Sequence, residues 1–214
     1  HWCIACRAAA QIHALTTKMP RSQVLKPTDV PRSPVVLLLV DVINPLQFPN
    51  AGGLVREAVR AAAKISKLKA KLKSRNIPAI YANDNYGTWQ SEFSDILVEC
   101  MGLSGPRGEI ARTLAPSEKD LVILKPQHSA FHCTPLQHLL DRMEAEKLII
   151  VGFATDMCVM LSATDARMSG YSVWVPSDCT AAENPSRKAF ALRHLRQSFK
   201  CSVRASTGRM VSDD

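Results

Sequence analysis

No stretch of this chain stays apolar for the ~20 residues that a membrane-crossing helix requires. Its longest apolar runs, 35–40 and 148–151, are of strand length, so no membrane partner is expected. An acidic balance is also missing: 27 Lys and Arg against 19 Asp and Glu give a net charge of +8. Such an excess can mark a nucleic-acid binder, but here much of it falls on one helical face. Arg56, Arg60, Lys64, Lys67, Lys71 and Arg75 recur at steps of three and four, opposite Leu54, Ala58, Ala61, Ile65, Leu68 and Leu72. That pattern is an amphipathic helix with a solvated basic side. No aromatic residue interleaves those charges, so bases would find nothing to stack on, and no nucleic-acid partner is expected.

A zinc-binding cysteine pattern is absent as well. Cys3 and Cys6 form a CxxC, but no second CxxC or His pair follows at zinc spacing. The seven cysteines are odd in number and mostly scattered, with no recognisable secretory signal. They read as reduced thiols, and a cytoplasmic location is expected. The chain opens on His1, and a more ordinary start begins at Met19, so residues 1–18 are expected to be foreign to the native protein. Pro20, Pro27, Pro31 and Pro34 make the lead-in extended. The expected division is an N-terminal segment over 1–33, one domain over 34–208 and a tail over 209–214.

With 214 residues, 46% of them hydrophobic, the chain suits one domain with a sizeable core. From Val35 onward, strand and helix alternate. Apolar or β-rich runs predict strands over 35–41, 77–84, 121–125, 147–153, 171–176 and, briefly, 201–206. Helices are predicted over about 53–75, 91–101, 135–146, 155–169 and 187–200, with a polar segment around Gly102, Gly105 and Gly108. Repeated βα units predict a three-layer α/β/α fold around a six-stranded, mostly parallel sheet. In such a fold, catalytic groups gather beyond the carboxyl ends of the strands.

Three chemically loaded residues fall at such ends: Asp41 after the first strand, Lys125 at the end of the third and Cys158 just after the fourth. A thiol at a strand–helix junction is well placed as a nucleophile, because free N–H groups there can hold an oxyanion. Each residue alone has a plainer reading as a packed thiol, a cap or a surface lysine. Together, an acid, an amine and a thiol can make a nucleophilic centre without histidine. Asp41 would shuttle the thiol proton, and the Lys125 ammonium is expected to lower the pKa of both neighbours.

The segments VVLLLVDVIN, LKPQHSAF, GFATDMCVMLSATDARMSGY and VPSDCTAAENP resemble the successive motifs of the isochorismatase-like cysteine hydrolases, over about residues 35–206. The resemblance implies an Asp–Lys–Cys triad at Asp41, Lys125 and Cys158 and a cis peptide between Phe153 and Ala154. It also implies an oxyanion hole from the N–H groups of Ala154 and Cys158, and a homodimer or homotetramer. Isochorismatases proper lack the cysteine, so Cys158 argues against that branch. Nicotinamidases of the family hold a metal with an Asp-x-His and a further His. The matching region here, YANDNYGTWQSEF, has Asp84 but no histidine. No metal and no cofactor are therefore expected, and His128 and His132 read as rim or structural residues. Where the family carries a glutamine after the first strand, this chain has Ile43.

Asn83, Asp84, Trp89, Ser129, Phe131 and Phe153 complete the expected substrate pocket, with Asp84 open equally to capping a helix or bracing Lys125. The implied activity is metal-independent hydrolysis of a C–N bond in a small amide, carbamoyl or ureido substrate through a thioester on Cys158. Two alternatives stay open: a catalytically silent relative that binds a small molecule or partner, and a nicotinamidase-like enzyme with an atypical metal site.

Overall fold

A computed structural model describes residues 29–49, 51–90 and 92–207. The expectations for residues 1–18, most of the 1–33 segment, the Cys3–Cys6 pair and the 209–214 tail lie outside them. The chain divides into two units, His1–Val30 and Pro31–Asp214. Among the described residues, no helix is long and apolar enough to cross a membrane.

Six strands form one sheet: β1 (Val35–Val40), β2 (Ala79–Asp84), β3 (Leu121–Lys125), β4 (Lys147–Phe153), β5 (Ser172–Trp174) and β6 (Thr180–Ala181). Their order is β3-β2-β1-β4-β5, every pairing is parallel, and β6 also pairs with β4. The run VVLLLV at β1 suits the centre of such a sheet, where both faces are covered and no polar alternation is needed. β5 pairs with the first residues of β4, and β6 takes over at Gly152 and Phe153.

The chain steps outward from β1 to β2 and β3, then returns to the other side of β1 with β4. Right-handed crossovers place the helices of the outward path on one face and those of the return path on the other. The outward helices are α1 (Gly52–Lys73), α2 (Phe93–Gly102) and α3 (Gly105–Thr113). The α1 stripe Leu54, Ala58, Ala61, Ile65, Leu68 and Leu72 is buried, together with Ala62. It packs with Leu37, Leu39, Tyr81, Ile149 and Val151, the alternate strand residues that face it. The return helices are α4 (Leu136–Met143), α5 (Met160–Met168) and α6 (Pro185–Gln197). A π-helical turn, Thr155–Val159, links β4 to α5.

Two expectations are corrected. The polar segment around Gly105 contains a helix, α3, started by Ser104 and by a proline in its first turn, whose missing N–H would be unpaired there in any case. The sixth strand is Thr180–Ala181, not 201–206; the later segment contributes one bridge, from Ser202 to Trp174. Gly152 is the position that lets β4 approach β1 closely. Its φ is +124°, and a Cβ there would lie 1.9 Å from the Val40 carbonyl oxygen, so any side chain would collide with the last residue before Asp41.

Candidate active site

The order of the strands reverses between β1 and β4, and crevices in open α/β sheets form beyond the carboxyl ends at such a reversal. Asp41 leaves β1 there in a left-handed conformation, φ +51°, which Asp tolerates better than most residues. Lys125 is the last residue of β3, in register with Asp84 of β2. Cys158 lies in the π-helical turn, where the Met157 and Val159 N–H groups both donate to the Ala154 carbonyl. The Phe153–Ala154 peptide is cis.

These elements bring the three residues together. The Lys125 Nζ is 2.9 Å from Asp41 Oδ2, and the two side chains are 0% and 5% exposed. The same nitrogen is 3.7 Å from Cys158 Sγ and 3.1 Å from the Gln127 carbonyl oxygen. Asp41 Oδ1 accepts the Asp84 N–H at 2.7 Å, and the Cys158 thiol acts on the same carboxylate, lowering its pKa. An ammonium and a carboxylate buried at this separation hold each other charged. The Asp41 carboxylate is therefore fixed at both oxygens, with the thiol proton within its reach.

Burial raises the Asp41 pKa, against the opposing charge of Lys125. Cys158 is pushed up by burial and by the Asp41 charge, and Lys125 offsets only part of this. Burial alone would lower Lys125, but Asp41 outweighs it through its charge and its hydrogen bond, and the net shift is upward. Lys125 lowers both neighbours as expected, but desolvation is the larger effect and the net shift of each is upward. The raised thiol stays neutral near pH 7, and the ammonium 2.9 Å from Asp41 favours the ionised carboxylate.

The remaining sequence candidates divide. Asp84 belongs to the cluster: its Oδ1 accepts the Tyr86 N–H at 2.7 Å, and Oδ2 lies 3.9 Å from Lys125 Nζ. Asn83 is fully buried, and its Nδ2 donates to the Ile43 carbonyl. It ties β2 to the loop after β1, while its Oδ1 has no partner among the described residues. Ser129 turns away to Asp165, 2.5 Å distant. Phe131 lies against Tyr171, with ring centroids 6.1 Å apart, and Tyr171 precedes β5 at the opposite edge of the sheet. Phe153 is 1% exposed in the core. Trp89 is 82% exposed and, with Thr88, Gln90 and Asp95, lines a shallow depression that none of the triad residues borders.

Sequence reasoning missed Tyr86 and placed His128 only on the rim. The Tyr86 hydroxyl is 3.4 Å from the Ile43 carbonyl, and the charges of Asp41, Asp84 and Cys158 act on it. The His128 Nδ1 is 3.7 Å from Cys158 Sγ. The signal for His128 was its place three residues after Lys125; nothing in the sequence distinguished Tyr86 from an ordinary turn residue. Among the described residues, no three His, Cys, Asp or Glu side chains gather to hold a metal ion. Asp84, where the family's metal ligand would stand, faces the Lys125 ammonium instead, so these residues do not fit such a metal.

The family model described as the isochorismatase domain matches residues 35–206. The isochorismatase family protein YaaI of Bacillus subtilis (strain 168) is 36% identical over 156 residues, 73% of this chain and 85% of that protein. Enterobactin synthase component B of Escherichia coli (strain K12) is 26% identical over 136 residues, 62% of this chain, which spans about half (48%) of that longer protein. Among solved structures, the N-carbamoylsarcosine amidase of Thermoplasma acidophilum superposes with a TM-score of 0.64 at 22% identity, covering 84% of this chain and 100% of that one. Other matches carry the names maleamate amidohydrolase and nicotinamidase.

Proposed function

Because the chain belongs to the isochorismatase family of hydrolases, we propose that it is a cysteine amidohydrolase cleaving a C–N bond in a small amide, carbamoyl or ureido compound. One observation carries this reading: a buried ammonium within 2.9 Å of a carboxylate and 3.7 Å of a thiol at the sheet's crossover point. Relatives named for amide and carbamoyl chemistry support it.

In this mechanism, Cys158 Sγ attacks the substrate carbonyl carbon while its proton passes to Asp41. Asp41 suits a proton shuttle because its raised pKa brings it nearer the working pH than an ordinary carboxylate. The carbonyl oxygen becomes an oxyanion held by the N–H groups of Ala154 and Cys158 at the strand–helix turn. As the C–N bond breaks, Asp41 returns the proton to the leaving nitrogen, and ammonia or an amine departs. The thioester remains on Cys158. Water then attacks it, giving its proton to Asp41; the C–S bond breaks, the proton returns to sulphur and the acid leaves. Lys125 keeps Asp41 ionised at the start of each half-reaction and steadies the charge that develops on sulphur. Asp84 holds Asp41 in position through its N–H.

The test is ammonia release from a panel of small amides, ureides and carbamoyl amino acids, with metal-stripped protein beside Cys158→Ala. Turnover that vanishes in the variant supports the reading. Silence across the panel, with substrate analogues still binding, would favour a catalytically inactive relative. A homodimer or homotetramer in solution is part of the proposal, and sedimentation equilibrium tests it.

A further inference from the structure

His128 belongs to no part of the triad, yet its Nδ1 lies 3.7 Å from the nucleophilic sulphur. The ring stands in the loop after β3 and is exposed, whereas Lys125 reaches the same sulphur from a fully buried position. The sulphur thus has one buried polar neighbour, Lys125, and one exposed polar neighbour, His128.

A neutral thiol has one proton, and Asp41 is the carboxylate that acts on it. With that proton directed to Asp41, the sulphur offers lone pairs to His128, and the imidazole tautomer with its proton on Nδ1 is the donor. Lys125 already serves Asp41, the Gln127 carbonyl and, at longer range, Asp84, so its charge is shared when the sulphur becomes negative. A second donor beside the sulphur supplies what that sharing removes.

We propose that His128 is a fourth catalytic residue, donating from Nδ1 to Cys158 Sγ and stabilising the thiolate as its proton passes to Asp41. No proton leaves the imidazole in this step; the hydrogen bond shortens as charge builds on sulphur. The inference rests on Cys158 being the nucleophile, but it does not depend on which substrate is cleaved.

The test is therefore made on the thiol alone. The ionisable groups facing the sulphur are Asp41, Asp84, Lys125, Tyr86 and His128, and all but His128 stay unchanged. Alkylation of Cys158 by iodoacetamide is followed by peptide mass spectrometry across the alkaline range, with exposed Cys133 as the reference in each digest. His128→Leu removes the donor. His128→Asn puts an amide N–H near the position of Nδ1. In His128→Leu, the Cys158 rate is expected to fall about tenfold to a hundredfold, the range of a hydrogen bond to a charged group, with the pH profile displaced upward. His128→Asn is expected to recover most of that loss. Equal rates in all three proteins, faster alkylation in His128→Leu, or equal losses in both variants would overturn the proposal. Failure of the ammonia-release panel would leave this measurement unaffected, so the two readings fail separately.

Discussion

β3 carries a lysine–carboxylate pair at each end, and the two pairs do different work. At its amino end, Lys69 of α1 meets Asp120 at 2.5 Å, with the side chains 15% and 8% exposed. Tyr81 and Ser117 complete the set: Lys69 donates to the Tyr81 hydroxyl, that hydroxyl donates to the Leu114 carbonyl, and Asp120 accepts from the Ser117 N–H and Oγ–H. Each partner there is a fixed donor or acceptor, so the cluster locks α1 to the sheet edge. At the carboxyl end, Lys125 and Asp41 are more deeply buried, and the third member is a thiol, whose proton the proposed mechanism moves. A buried ion pair is weak evidence of stabilisation in itself. What separates the two ends is whether the neighbouring group can exchange its proton or only share it.

The widest separation between the two ends is expected from substitutions of their acids. Asp41→Asn should lower turnover by at least about a hundredfold to ten-thousandfold, the usual contribution of a general acid–base group, with far-UV circular dichroism unchanged. Near-normal turnover in Asp41→Asn would erase the distinction. At the other end, Lys69→Met strands Asp120 without its counter-charge. It should cost about 3–5 kcal/mol in urea unfolding, the range for breaking a buried pair, while kcat per folded molecule stays as in the wild type.

A smaller contrast lies in pH dependence. Burial raises Asp41, so kcat/KM should climb with pH through a value above the ordinary carboxylate range of ~3.9. The sign for stability runs the other way. A carboxyl raised by folding binds its proton more tightly in the folded state, so its contribution is greatest at low pH and is lost as pH rises through the folded value. An acid limb at or below ~3.9 would contradict the burial account. Burial also raises the thiol, so at about pH 8 Cys158 should alkylate more slowly than an exposed thiol of the ordinary ~8.5. Faster labelling would restore the low-pKa picture drawn from the sequence. The smallest effect is expected at Tyr81→Phe, which removes a hydroxyl from the structural end. About 1–3 kcal/mol of stability should go, because the Leu114 carbonyl loses its donor, and turnover should not change.

The frame of the site was legible in the sequence because continuous apolar runs mark central parallel strands and loaded residues at their ends stand out. Asp41, Lys125 and Cys158 needed only that rule and the order of the motifs. The walls were less legible. Ser129 and Phe131 follow Lys125 so closely that the sequence places them at the pocket, but their side chains meet Asp165 of α5 and Tyr171. Asn83 and Phe153 sit at strand ends yet point into protein, and a one-residue step in strand parity decides which way a side chain faces. β6 was misplaced because two residues paired to the end of β4 carry no periodicity to detect. The thiol's raised pKa was hidden for a related reason: the sequence shows the neighbouring charges but not the burial that outweighs them.

The most direct test of the central claim is to quench the enzyme with acid during turnover of whichever panel compound releases ammonia, then map the peptide containing Cys158 by mass. The account predicts an acyl or carbamoyl adduct on Cys158 that is absent without substrate and absent in Cys158→Ala, which should also release no ammonia. Ammonia release that persists in Cys158→Ala, or an adduct on another residue, would contradict it.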